Sequence, residues 1–198
     1  MAYDVFLSQG AKMKCRILGV VVFAGIFSVT APIAQTAAGQ SSAATSNSTQ
    51  GSVLNAVEAA KLMPASVFFR GQSASIQGRN SGGVRFAGNS LMLVSLVDTS
   101  GYSSQVQEKY QAYLMTESAV DVDGHHLAPG AYGCGFISGD SFVVMDIGGH
   151  DLFTAHSTHD VDLHRPTPLQ ILAAPTNPGE YRLYAGRNYV SFRLAAAR

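Results

Sequence analysis

Four of the six histidines fall within fifteen residues: His150, His156, His159 and His164, with Asp151, Asp160 and Asp162 interleaved. Imidazole and carboxylate are the ligand set of Zn²⁺, and imidazole also suits Cu²⁺. The ligands such a site would use are His150, His156, His159, Asp160 and His164. The arrangement depends on local structure. In a helical turn His156, His159 and Asp160 share one face at i, i+3 and i+4, whereas in a strand His156 and His159 face opposite ways and the cluster dissolves. No established spacing such as His-Glu-x-x-His occurs. The competing expectation is a solvated connection between Ala155 and Leu169, interrupted by Arg165-Pro166, with no metal or other cofactor required.

Other reactive residue types give weaker patterns. His125-His126 falls in or beside a hairpin turn, where adjacent rings point apart. A serine nucleophile needs a base and an orienting acid brought together, and no Gly-x-Ser-x-Gly elbow occurs; Ser141 after Gly139-Asp140 is expected to start a strand. Paired carboxylates for glycoside chemistry would be Glu108 with Glu117, or Asp121 with Asp123. The latter two alternate with Val120 and Val122, as a solvent face does. Arg79-Asn80-Ser81-Gly82-Gly83 lacks the lysine and following helix of a phosphate loop. Cys134, between Gly133 and Gly135, is expected to be a small buried hydrophobe on a strand. Tyr102, Tyr110, Tyr113, Tyr132, Tyr181, Tyr184 and Tyr189 either fill a β core or line an apolar ligand pocket with a polar handle.

The chain opens with an export pattern. Lys12, Lys14 and Arg16 form a positive cluster, Ile17 to Phe27 is almost wholly apolar, and Thr36-Ala37-Ala38 supplies the small residues a signal peptidase accepts. Residues 1–38 are therefore expected to be a signal peptide, cut after Ala38 (or, as runner-up, Thr36). Translation is expected to start at Met13, since the signal is more typical from there; a precursor whose N-terminus is Met1 would refute this. Residues 39–51, rich in Ser, Ala and Thr, have no apolar periodicity and are expected to be a disordered tether. Removing the signal leaves roughly 160 residues, the size of one ordinary domain. It also removes Cys15, so Cys134 has no intramolecular partner.

Residues 52–198 are expected to form that single domain. Val53 to Met63 carries an approximate helical stripe, with Ser52 as its cap and Pro64 as its stop. From Ser66 the texture becomes β. Apolar runs cover Ser66–Arg70, Ser73–Gln77, Val84–Ala87, Leu91–Val97, Val120–Val122, Tyr132–Ile137, Ser141–Ile147, Leu152–Ala155, Leu169–Ala173, Tyr181–Ala185 and Tyr189–Leu194. Turn residues punctuate them at Arg79–Gly83, Asp123-Gly124, Leu127–Gly130, Gly139-Asp140 and Gly186–Asn188. Residues 105–116 fit a helix or a strand, and the strand-rich surroundings favour a strand. Leu91–Val97 and Phe142–Ile147 lack strict alternation, which predicts cover on both faces. The fold expected is mainly β: a single antiparallel β-sandwich or closed β-barrel with one short N-terminal helix. Val122 to Tyr132 resembles a strand–turn–strand unit common in secreted β-sandwich domains, which implies fold and not activity.

Charge narrows the partners. Thirteen basic and thirteen acidic side chains balance over the whole chain, but from Gly39 onward two lysines and eight arginines face twelve acids, a net −2. No basic run survives processing, which argues against nucleic acid, and membrane contact is expected only through the signal during export. The sequence favours a secreted or periplasmic, non-catalytic β domain that binds a small apolar ligand or an envelope or extracellular partner. The alternatives are a metal-binding or metal-dependent hydrolytic domain using the His150–His164 cluster, and a structural assembly component.

Overall fold

The computed structural model describes residues 51–196. The expected signal peptide and all of the tether except Gly51 lie outside the described residues. In chain order the elements are β1 (Ser52–Leu54), α1 (Ala56–Leu62), β2 (Ser66–Phe69), β3 (Gln72–Arg85), β4 (Leu91–Val97), α2 (Ser104–Lys109), β5 (Ala112–Thr116), β6 (Val120–Val122), β7 (His125–Leu127), β8 (Gly130–Ile137), β9 (Ser141–Met145), β10 (Asp151–His156), β11 (Thr158–His159), β12 (Gln170–Ala173), β13 (Glu180–Ala185) and β14 (Asn188–Leu194). Every pairing is antiparallel. The first sheet runs β1-β3-β4-β5-β8-β9-β10, with β2 on β3; the second runs β12-β13-β14-β6-β7, with β11 on β14.

The two sheets do not close into a barrel, so the sandwich alternative holds. Where the edge strands β10 and β7 meet, side chains replace a backbone ladder. The His125 ring stacks on Phe153 at 4.7 Å, and Asp123 Oδ2 accepts the His156 N–H at 3.1 Å. The β6–β7 hairpin turns through Asp123 and Gly124, both at positive φ (46° and 83°), the geometry an Asp-Gly pair adopts between strands.

Three local expectations need correction. The first helix starts later than its apolar stripe suggests, because Ser52–Leu54 is drawn into pairing with β3. Its cap is Asn55, not Ser52: Asn55 Oδ1 accepts the Val57 and Glu58 N–H groups, and Glu58 Oε2 accepts the Asn55 N–H. This reciprocal box satisfies donors the first turn leaves orphaned. Second, Arg79–Gly83 is not a turn but the irregular middle of one fourteen-residue strand, β3. Side chains bridge the break in register: Gln77 Nε2 donates to Val97 O at 3.2 Å, Asn80 Nδ2 to Gln77 Oε1 at 3.0 Å, and Ser81 Oγ to Ser95 Oγ at 2.8 Å. Gly82 serves close approach there, since a Cβ would sit 3.2 Å from Ile171 N on the facing sheet. Third, residues 105–116 divide between a second helix, α2, and strand β5.

The first sheet is buried on both faces, as the weak alternation of its central strands predicts. Met92, Val94, Phe142 and Val144 enter the core between the sheets, with Val120, Val122, Leu183, Val190 and Phe192 opposite. Leu93 packs under α1, while Val143 and Met145 join a second, aromatic core beneath β2 and α2. In that core Phe69 stacks on Tyr110 at 3.8 Å, with Tyr102 edge-on to both. Gly133 and Gly135 make it possible: a Cβ at Gly133 would lie 2.5 Å from the Phe69 ring, and one at Gly135 would lie 2.2 Å from Lys109 O. Between them Cys134 is fully buried on the sandwich side, and burial pushes its thiol pKa up to about 12. Each such side chain taken fully from water is worth about 1.5–3 kcal/mol, so the double cover makes this sheet the rigid frame for what lies on its ends and edges.

Candidate binding cleft

The histidines of the 150–164 segment are held apart by the strands that carry them. His150 sits in the β9–β10 turn, where its Nδ1 is 2.9 Å from Asp146 Oδ2. His156 is at the far end of β10, about 20 Å away at the usual rise of a strand. His159 is on β11 in the other sheet, with Nδ1 2.7 Å from Asn188 Oδ1. His164 is exposed in the connection to β12. Residues 156–160 are extended, not a helical turn, so His156, His159 and Asp160 do not share a helical face. Among the described residues no three His, Cys, Asp or Glu side chains are grouped to hold a metal ion.

Asp160 has a different setting. Tyr184 Oη donates to its Oδ2 at 2.8 Å, Arg182 Nη1 lies 3.8 Å away, and the Arg182 guanidinium sits 4.3 Å over the Tyr189 ring. The hydrogen bond from Tyr184, with help from the Asp162 N–H and Arg182, holds the carboxyl below its ordinary value. Arg187 Nη1 donates to the carbonyls of Asp160, Val161 and Leu163. Together these bonds fasten the 160–169 connection over one half of the second sheet's outer face.

The remaining candidates separate in the same way. Glu108 is on α2, and Glu117 lies beyond the far end of β5, accepting the Leu91 N–H at 2.9 Å. Ser141 Oγ donates to Gly139 O at 3.0 Å, closing its own turn. The His125-His126 pair forms a strand edge: His125 stacks on Phe153, and His126 Nδ1 is 3.3 Å from Asp121 Oδ1. Tyr102, Tyr110, Tyr113 and Tyr184 are buried as core or network residues.

Tyr181 lines an open cleft as well as the core. Its ring is packed with Phe86 at 5.8 Å and Phe192 at 5.6 Å. It is 1% exposed; its oxygen lies beside the Gly51 backbone N–H, and its own proton has no acceptor among the described residues. It lines a cleft of about 380 Å³ at one open end of the sandwich, with Phe86, Ala87, Pro178, Glu180, Arg193 and Leu194 around it. The hydroxyl is at the wall where the chain enters the fold, 2.8 Å from where a Cβ on Gly51 would sit. Burial raises the phenol pKa, outweighing the opposing hydrogen bond from the Gly51 backbone.

At the cleft's corner Glu180 and Arg193 face each other across β13 and β14. Arg193 in turn faces Asp121, and Asp121 faces His126, so four adjacent strands carry Glu180, Arg193, Asp121 and His126 in one row. Beyond the corner lies a second hollow of about 290 Å³ on the uncovered half of the outer face, lined by Asp121, Asp123, Gly124, Glu180, Ser191 and Arg193. Sequence reasoning named Tyr181, Asp121 and Asp123 but missed Phe86, Glu180 and Arg193. The Glu180–Arg193 pairing had a signal: Gly186-Arg187 is a two-residue hairpin loop with glycine first, and residues equally distant from it face one another. No protein-family model matches this chain, and neither does any curated protein or solved structure.

Proposed function

We propose that this chain is an exported, non-catalytic binding domain that takes a small ligand with an apolar body in the cleft beside Tyr181. The observation that carries the reading is the cleft itself: Phe86 and Tyr181 form its aromatic wall, Ala87, Pro178 and Leu194 its rim, and the buried Tyr181 hydroxyl, beside the Gly51 N–H, has no acceptor for its own proton among the described residues. An unmet buried donor costs about 1–3 kcal/mol, and a ligand oxygen would relieve that cost. Asn177, Glu180 and Arg193 set polar groups beside the apolar ones, and small-molecule sites use such polar groups to fix a ligand's orientation. Side chains fill the space between the sheets, which favours the sandwich's end over its interior as the binding place. The export pattern of residues 12–38 supports a secreted or periplasmic location.

Phenethyl alcohol, an aromatic body with one hydroxyl, tests the reading. Titrated into the purified protein, it is expected to give saturable amide shifts at Phe86, Ala87, Gly179, Tyr181 and Leu194. Ala87→Trp, at an exposed position on the rim, fills the cleft and is expected to abolish those shifts without lowering the unfolding temperature. Shifts that never saturate, or that are indifferent to Ala87→Trp, would overturn it.

A further inference from the structure

We propose that Arg70 and Lys109 form a separate site, for the carboxylate of a small acid, in the hollow between the β2–β3 hairpin, α2 and the β9–β10 turn. The hollow has a volume of about 240 Å³, with Arg70, Gln105, Lys109 and Asp151 among its polar lining residues and Val106 and Met145 among its apolar ones. It shares no lining residue with the cleft at Tyr181, so it stands whether or not that cleft binds anything. The starting observation is the turn that carries Arg70. β2 and β3 are joined by two residues, Arg70 and Gly71, with φ of 49° and 78°. Asp123-Gly124 joins β6 and β7 in the same way, at 46° and 83°. Such a turn needs positive φ at both central positions, which favours asparagine, aspartate and glycine. Arginine lacks the short polar side chain that bonds locally and makes this backbone tolerable for aspartate.

What the turn does provide is a guanidinium held in place. The Arg70 N–H donates to Ile147 O at 2.8 Å, and the side-chain stem lies on the β9–β10 turn at Gly149. A Cβ at Gly149 would be 2.4 Å from Arg70 Cδ and 3.0 Å from its Nε, so only glycine admits the stem there. The turn beneath is itself fastened: Asp146 Oδ1 accepts the His150 N–H at 2.9 Å, and His150 Nδ1 lies 2.9 Å from Asp146 Oδ2. None of the ion pairs among the described residues includes Arg70. Lys109 is held in the same wall by Asp151 Oδ2, and its ammonium keeps two further donors. Two cations against one carboxylate leave one positive charge in the lining, which suits a monoanion. The guanidinium fork matches the two oxygens of a carboxylate, and Val106 and Met145 offer apolar surface to a short alkyl chain.

Butyrate and butyramide, alike in shape and different in charge, test the site when titrated into the purified protein and followed by amide shifts. Butyrate is expected to give saturable shifts at Arg70, Gly71, Gln105 and Gly149. It should bind about tenfold tighter than butyramide, the size of one charge-assisted hydrogen bond. Inorganic phosphate is expected to bind no tighter than butyrate, because its second charge meets Asp151. Arg70→Asn puts a favoured residue into the turn, so it is expected to melt no lower than the wild type while its butyrate affinity falls about tenfold. Arg70→Lys keeps the charge without the fork; its affinity should lie between the two, and it carries the test if Arg70→Asn does not fold. Butyrate shifts that never saturate, that butyramide reproduces at equal concentration, or that the Arg70 variants leave intact would overturn the site. Phosphate binding about tenfold tighter than butyrate would overturn the carboxylate assignment.

Discussion

Replacing Tyr110 by phenylalanine should make this protein more stable. Tyr110 is fully buried, stacked on Phe69 at 3.8 Å and edge-on to Tyr102 at 5.4 Å, and its hydroxyl has no hydrogen-bond partner among the described residues. A buried hydroxyl left unpaired costs about 1–3 kcal/mol relative to its hydrated state. Phenylalanine keeps the ring and its contacts while removing that cost. We expect a gain of about 1 kcal/mol by urea unfolding, with the midpoint temperature up by about 3 °C for a domain of this size. Tyr102→Phe is the internal contrast. The Tyr102 hydroxyl lies 3.0 Å from Phe69 O and 3.1 Å from Gln72 O, so its removal should cost about 1 kcal/mol. The two variants differ by one oxygen each in the same aromatic core and should move in opposite directions. pH adds a second readout. Burial raises the Tyr110 pKa in the folded state above its ordinary 10.0. The stability it contributes is complete below 10.0 and is lost as pH rises, because the unfolded phenol ionises first. The wild type should therefore weaken above that pH more steeply than Tyr110→Phe. A Tyr110→Phe protein less stable than wild type by more than about 0.5 kcal/mol would refute the reasoning, since it would mean the hydroxyl has a partner.

Three further outcomes follow from other parts of the fold. Gly135→Ala places a Cβ 2.2 Å from the Lys109 carbonyl, which cannot turn away as a side chain does; calorimetry should show a loss of about 3 kcal/mol, while Gly101→Ala, with only Gln72 Oε1 at 3.7 Å, should be near neutral. Cys134, buried with its thiol pKa at about 12, should resist iodoacetamide at neutral pH in the folded protein and react fully in denaturant; rapid labelling of the native state would contradict its placement. Asp160 is held below its ordinary 3.8 by the Tyr184 hydroxyl, the Asp162 N–H and Arg182. Its stabilisation is complete above 3.8 and is lost as pH falls through the lower folded value, so Asp160→Asn should reduce the stability difference between pH 6 and pH 2.5 seen in wild-type melting curves.

Most strands were legible because short apolar and β-branched runs ended at residues that turn the chain. Leu91–Val97 coincides with β4, and Asp123-Gly124 and Gly139-Asp140 take the positive φ values their types allow. The failures have specific causes. Arg79–Gly83 has turn composition, but Gln77, Asn80 and Ser95 supply side-chain bonds that let β3 continue through it, partners that no local window contains. α2 is six residues long, too short for its periodicity to outweigh the β-forming residues after it. Histidine spacing implied a shared face only under helical geometry, and the segment is extended. The cleft was half visible. Hairpin register places Glu180 opposite Arg193, but the meeting of Phe86, Gly51 and Tyr181 depends on how two sheets stack, and adjacency in sequence does not encode that.

The length of β3 has a consequence for how the molecule comes apart. Its first half pairs with β2 and carries Ala74 into the aromatic core; its second half pairs with β1 and carries Val84 into the sandwich core. One unbroken run of backbone thus belongs to both layers. Peeling either layer away disturbs the shared strand, and with it the hydrogen-bonded frame of the other. The domain should behave as a single cooperative unit, with amide exchange at Ala74 and at Val84 requiring the same global opening, although the two residues face separate hydrophobic interiors.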